Sequence, residues 1–399
     1  MKSLTYLVYI CCLVLFYITQ LGEVTVIEKP MPGQKRYGTM RSDDEKVQME
    51  CALTQLFESF DRNYYVTYPL GFYKSVELSE EEQEEVKEIL EELSGKDIEQ
   101  LESAYADYQE EIMEKMMGGG ETSMADVLPF SIVPDTSVSY EKFLEKMKEI
   151  DSMLGGGSSF SEKSVKSGGS VEMTYEQALE EYEKIVQKDK VSGAYARLFC
   201  DYFGIMLAIL PVFLAVTRAV RDQRAKAFEV IASKKISSAK LILIRYLGVV
   251  VTAMVPVIVL AISSAMQGAY LAKSLGAPTD LMMYGKYLGG WLLPSVLFSV
   301  SAGFFFSELF SGTISILVMA LFWIANLFQS VHQLTGMVGW NVMPRFNSLG
   351  ERSVFESIFR ELAINRIGYT AAAILFILAT VLLYDRKRKG GRLFGGKHH

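Results

Sequence analysis

Four cysteines and three histidines bound what this chain of 399 residues can do with sulfur or imidazole. Cys11 and Cys12 adjoin inside an apolar run, Cys51 sits in an acidic block, and Cys200 lies in another apolar run. No CxxC or zinc-ligand spacing joins them, and no disulfide framework can be read. The histidines, His332, His398 and His399, do not supply a histidine-based triad or an HExxH metal site. Met113, Met116, Met117 and Met124 crowd the Gly118–Gly120 cluster. A thioether copper site needs such a cluster, but a helix end packed by Met is the simpler reading. Residues 391–397, Gly-Arg-Leu-Phe-Gly-Gly-Lys, match GxxxxGK. A phosphate-binding loop needs Ser or Thr next, to hold magnesium, and a helix beyond it to aim amides at phosphate; His398 follows instead. The chain therefore reads as having no cofactor, no metal and no catalytic residues of its own.

The informative polar residues lie at 221–247. They read as a charged helix, a short break, and a helix leading into an apolar run. Ala227, Phe228, Ile231 and Ala232 make a small apolar patch ringed by charge. Such a patch suits docking to a soluble protein; the alternative is a membrane-surface helix held by Lys and Arg. Glu229 amid the bases and the polar break at Ser233–Ser238 favour docking. The docking candidates are Arg221, Arg224, Phe228, Glu229, Ser233, Lys234 and Ser237. Three further polar residues fall inside apolar runs. Asp201 is near the outer edge of one, where a water-facing structural role is the simpler reading and lining a substrate path the sharper one. A carboxylate at the bilayer centre costs about 2.5–3.5 kcal/mol. Asn326 and Gln329, one turn apart, are weighed in the same way, since amides in spans usually bond a neighbouring helix.

Six apolar runs must position these residues: Leu4–Leu21, Leu198–Thr217, Leu241–Ser264, Tyr287–Phe306, Thr313–Val331 and Ile367–Tyr384. Each is near the ~20 residues that cross ~30 Å of hydrocarbon as a helix. The first follows Lys2 but lacks small residues before any cleavage site, so an uncleaved anchor is predicted. The formal net charge of -7 hides a division. Residues 23–194 hold 38 Asp and Glu against 18 Lys and Arg, a net of -20, and the rest hold 9 against 22, a net of +13. Long apolar runs exclude a single soluble domain. Basic residues that border those runs, instead of forming a stripe or groove, argue against nucleic acid. They gather between the second and third runs and again after the sixth, at Arg386, Lys387, Arg388 and Lys389. Lys and Arg favour cytoplasmic loops, so both stretches and both termini are predicted cytoplasmic, and residues 23–197 extracellular.

The acidic block reads as a helical bundle. Ser42-Asp43-Asp44-Glu45 and Ser79-Glu80-Glu81-Glu82 have the capping-box pattern, each ahead of apolar residues at helical spacing. More helices are predicted from Ile98 to Ile112, Tyr140 to Leu154 and Tyr175 to Ile185, each with one apolar stripe. Gly118–Gly120 and Gly155–Gly157 end helices. The aromatic stretch 63–73 reads as a short strand or loop over the bundle, with a docking surface for an amphipathic substrate as the alternative. Ser353-Val354-Phe355-Glu356 is a third capping-box pattern, opening an amphipathic helix over 353–364 in the outer interface. The predicted fold class is an all-α polytopic membrane protein with six transmembrane helices. It comprises an anchor at 1–22, an extracellular, mostly helical domain at 23–197, and a five-helix transmembrane region at 198–384. Within that region 218–240 is the cytoplasmic coupling segment, and 385–399 is a basic cytoplasmic tail.

The coupling segment resembles that of the ABC-2 superfamily of ABC exporter permeases. In that family the segment after the second span carries charged residues, then Gly-Thr-x-Glu, two or three apolar residues, Ser, a short turn with Ser, and a basic residue opening the third span. Glu229, Val230, Ile231, Ser233, Ile236, Ser237 and Arg245-Tyr246-Leu247 fall on that pattern. Lys226, Ala227 and Lys235 stand where glycine, threonine and proline are usual. One span, a large outer domain and five more spans is a plan similar to that of sodium-export-like permeases with an inserted extracellular domain. The resemblance implies a non-catalytic permease subunit in a bacterial cytoplasmic membrane. It implies a homodimer or paralogue heterodimer, with separate ABC ATPase subunits docked on 221–237. It leaves the substrate unnamed. A receptor or scaffold whose outer bundle binds a ligand is the alternative, and an ion-coupled transporter a further one. The latter favours inverted repeats and ionisable groups near the midplane, of which the runs show little.

Overall fold

Helix accounts for 71% of the structure, as the apolar runs and capped acidic segments both require. The computed structural model describes residues 4–22, 27–69, 73–117, 129–310, 312–331 and 334–390, without the side chains of Met116, Gln223, Phe228 and Val331. The three histidines, Met124, Gly118–Gly120 and the GxxxxGK stretch lie outside the described residues. The chain forms two units: Met1–Glu28 with Glu181–His399, and Lys29–Glu180.

After α1 (Leu4–Leu21), the Lys29–Glu180 unit runs β1 (Thr39–Arg41), α2 (Glu45–Asp61), β2 (Tyr65–Thr67), β3 (Lys74–Val76), α3 (Glu80–Ser94), α4 (Ile98–Met117), α5 (Tyr140–Met153), α6 (Glu162–Ser167) and β4 (Ser170–Glu172), then passes into α7 (Tyr175–Glu183). The single apolar stripes of α2, α3 and α5 meet in one core, burying Leu53, Leu56, Phe57, Val86, Leu90, Phe143, Met147 and Ile150. Each such burial contributes about 1.5–3 kcal/mol. Tyr105 of α4 joins that core edge-on to Phe57 at 5.5 Å and to Phe130 at 5.0 Å. The capping box of α3 forms as expected between Ser79 and Glu82. The first pattern is corrected by two residues. Asp44, not Ser42, caps α2, accepting from the Lys46 and Val47 amides at 2.8 and 3.3 Å. The Ser42 amide is committed elsewhere, to the Gly169 carbonyl at 2.9 Å. The aromatic stretch supplies β2, which pairs antiparallel with β3 just beyond it, Tyr65 opposing Val76, and both Tyr65 and Thr67 are buried. Gly157, at φ 74°, lies so close to it that a Cβ would sit 2.7 Å from the Tyr68 carbonyl oxygen.

The second unit holds α8 (Ser192–Leu207), α9 (Leu210–Ala219), α10 (Arg221–Arg224), α11 (Phe228–Ala232), α12 (Ser238–Ser274), α13 (Met282–Tyr287), α14 (Leu293–Leu309), α15 (Gly312–Val331), the pair β5 (Thr335–Met337) and β6 (Arg345–Phe346), and α16 (Arg352–Arg388). Five helices are long and apolar enough to cross a membrane, or six if α8 and α9, bent by 43°, count as one span. By this measure the chain is a candidate multi-pass membrane protein. Helix α14 is central, packed on α9, α12, α15 and α16. Its Ser295, Ser299 and Gly303 recur every four residues, the small-residue spacing of close helix packing. A Cβ on Gly303 would lie 2.8 Å from Cβ of Ala215 in α9. The bend before α9 has a local cause. Pro211 has no N–H to give the Leu207 carbonyl. Ser299 donates to the Ala208 carbonyl at 2.7 Å with the Leu207 oxygen 3.2 Å away, so one hydroxyl of α14 is shared between the acceptors freed at the bend.

Helices α12 and α16 outrun their apolar cores. Each has 37 residues, or about 55 Å at 1.5 Å per residue. The separate amphipathic helix expected over 353–364 is corrected. Residues 352–388 form one helix, and the residue before it, Glu351, has φ 54° and makes no capping bond. The helix continues past Asn365 and Arg366 because both are buried with partners, described next.

Candidate functional site

The segment after α9 breaks into two short helices where one was expected. Lys226, between them, has φ 51°. This left-handed backbone favours glycine. Asp222 of α10 is buried against Arg245 of α12, and Arg218 of α9 approaches it at 3.4 Å. Arg245 also lies 6.0 Å from the Tyr384 ring of α16. Ser237 caps α12 by accepting from the Lys240 amide at 3.2 Å, and Ser238 donates to Asp385 at 2.8 Å. Arg388 closes the assembly. Its guanidinium donates to the carbonyls of Ala232 at 2.7 Å, Lys234 at 2.6 Å, and Ile236. The turn behind α11 is thereby tied to the ends of both long helices.

The docking candidates separate in this arrangement. Glu229, Ser233 and Lys234 are exposed, with Val230 beside them 61% exposed. Arg221 and Arg224 are also exposed, but they line a groove shared with α1 and α12. Ser237 serves as the cap of α12. The Phe228 side chain lies outside the described residues.

The three path-lining candidates also separate. Asp201 is corrected from a water-facing edge to full burial. Arg345 donates to it from Nε at 2.8 Å and Nη2 at 3.1 Å, and the Phe346 amide donates at 2.6 Å. Asn326 is buried and accepts from the Val342 amide at 2.9 Å, while its carbonyl accepts from Asn341 at 2.9 Å. Both residues hold the strand-and-loop segment that precedes α16. Gln329 is exposed on α15.

Sequence reasoning missed the charges beside these. Arg366 of α16 is buried, donating to the Asn341 carbonyl at 3.0 Å, the Trp291 carbonyl at 3.1 Å and Ser295 at 2.8 Å. Arg197 is fully buried in a two-pronged pair with Asp189 at 2.7 and 2.6 Å, and Arg352 meets the same carboxylate. The pair secures a turn in which Lys190 and Val191 both have positive φ, 51° and 57°. Such a backbone is costly for a β-branched residue and persists only where surroundings impose it. The eight-residue gap from Asp189 to Arg197 was the one available signal. Near this cluster α13, the helical turn after it (288–292) and α16 line an open cavity of about 590 Å³ walled by Tyr287, Trp291, Phe355 and Phe359, with Lys286 and Arg352 also in the lining.

Among the described residues, no three His, Cys, Asp or Glu side chains gather as a metal site. No family model, curated protein or solved structure matches the chain. Its geometry is therefore the basis for a functional reading.

Proposed function

We propose that this chain is the membrane-spanning permease subunit of an ATP-driven ABC-2 exporter, coupled through α11 to separate ATPase subunits. One observation carries the reading: an exposed five-residue helix and the turn behind it are tied by guanidinium–carbonyl bonds to the end of one 37-residue helix, α16, and lead through the capping Ser237 into another, α12. A displacement of α11 passes to α16 through Arg388 and to α12 through the Ser237 cap. Asp222 adds a second link, between α10 and Arg245 of α12. An ATPase drives transport only if it binds one arrangement of the spans better than another. A rigidly tied docking helix gives it that discrimination. Two copies, or a paralogue pair, form the path. The ends bearing Arg218 and Arg388 are cytoplasmic, by the bias of Lys and Arg, and the acidic Lys29–Glu180 unit is extracellular.

Sidedness has a direct test in a background without native cysteines. Ser137→Cys should react with an impermeant thiol reagent on intact cells, and Ser233→Cys only after permeabilisation. The reverse pattern rejects the topology. Docking is tested by Glu229→Arg, which inverts an exposed charge and leaves the spans intact. Co-purification of the ATPase should fall about tenfold or more, as for a charge reversal inside an interface. Full retention of co-purification and of substrate-stimulated hydrolysis would leave α11 a membrane-surface helix.

A further inference from the structure

We propose that the groove between α1, α9, α10 and α12 binds the phosphate headgroup of an anionic phospholipid. The groove has a volume of about 910 Å³. Arg218, Arg221 and Arg224 line it, and no Asp or Glu does. The nearest carboxylate on these elements, Asp222, is shared between Arg218 and Arg245, so one negative charge faces two guanidiniums. Among the described residues no acid pairs with Arg221 or Arg224. Among those residues the local excess of positive charge thus has no counterpart. Guanidiniums match phosphate by paired N–H donors, and basic pockets beside spanning helices suit anionic headgroups. Thr5 and Thr217 add hydroxyls to the lining.

A lipid, and not free phosphate, follows from what adjoins the groove. Thr5 of α1 is continued one turn along by Val8, 52% exposed, and later by Leu15. Thr252 of α12 is continued by Val255 and by Val259, 60% exposed. Helix α1 runs in the same direction as α12, with Tyr9 donating to the Ala253 carbonyl at 2.9 Å and Tyr17 to Ser263 at 3.3 Å. Two apolar stripes therefore start at the arginines and run together along the spans. They suit the acyl chains of a molecule whose charge sits among the arginines. The inference requires only that these helices span a membrane. It stands apart from the exporter reading, and it gives Arg221 and Arg224 a role other than docking.

The test uses the full chain purified in detergent, with dioleoylphosphatidylglycerol, dioleoylphosphatidylcholine and inorganic phosphate as probes. Native mass spectrometry should show retention of the phosphatidylglycerol, and that lipid alone should raise the thermal midpoint. The exposed-residue variant R221Q/R224Q should bind it about thirtyfold more weakly, the effect of removing two basic contacts. T252W keeps every arginine but fills the groove, and should lose the same retained lipid. Unchanged retention in both variants would overturn the site. Equal retention of phosphatidylcholine would overturn the charge recognition. Equal stabilisation by inorganic phosphate without lipid would overturn the lipid assignment. Normal ATPase co-purification with R221Q/R224Q, alongside lost lipid, would separate this site from the docking surface.

Discussion

Asp201→Asn should destabilise the apolar-helix unit by about 3–5 kcal/mol, the range for removing one member of a buried ion pair. The asparagine retains an acceptor for the Phe346 amide but leaves Arg345 without its counter-charge. Arg345 is 7% exposed, so water cannot replace the carboxylate. The expected observations are a lowered thermal midpoint and a poorer yield of monodisperse protein. D201N/R345Q should recover a large part of the loss, because it removes both charges, and the double-mutant cycle measures the pair itself. An unchanged midpoint for Asp201→Asn would show that the pair contributes nothing. A transport defect at an unchanged midpoint would return Asp201 to a path-lining role.

The contrast between Asp201 and Arg366 shows how far the sequence was legible. The apolar runs located the spans because a helix in hydrocarbon must be apolar over about 20 residues. That criterion ends a run wherever a charge appears. It therefore stopped the sixth run at Ile367 and hid Arg366, which α16 carries into the interior by bonding the Asn341 and Val342 carbonyls of the preceding loop and the Trp291 carbonyl of a helical turn. Arg197 was lost from α8 for the same reason, its partner Asp189 having been placed outside the span. Local signals fared better. Ser79 and Glu82 are three residues apart and need nothing else to form their box, whereas Ser353 and Glu356 sit in a helix already begun at Arg352. In the docking segment the exposed Glu229 was legible from local chemistry, whereas Ser237, read as a docking candidate, is the cap of α12. Arg388 was legible only as a positive charge, because its partners are backbone carbonyls and carbonyls leave no mark in a sequence.

That residue carries the sharpest distinction between docking and coupling. Arg388→Ala removes the bonds from α16 to the Ala232, Lys234 and Ile236 carbonyls while leaving the surface of α11 unaltered. Hydrogen bonds from charged donors contribute about 1.5–3 kcal/mol each. Losing all three should free the turn behind α11 from α16, although the Ser237 cap still joins it to α12. The ATPase should then bind with near-normal affinity, and substrate export should fall about tenfold or more, since binding energy at α11 no longer biases the arrangement of the spans. Arg388→Lys should restore little, because one ammonium cannot reproduce a planar fork directed at three carbonyls. Glu229→Arg should give the opposite pattern, weakened binding with the mechanical link intact. Export at the wild-type rate by Arg388→Ala would mean that α12 alone transmits the motion, and the tie to α16 would then be a structural contact with no part in coupling.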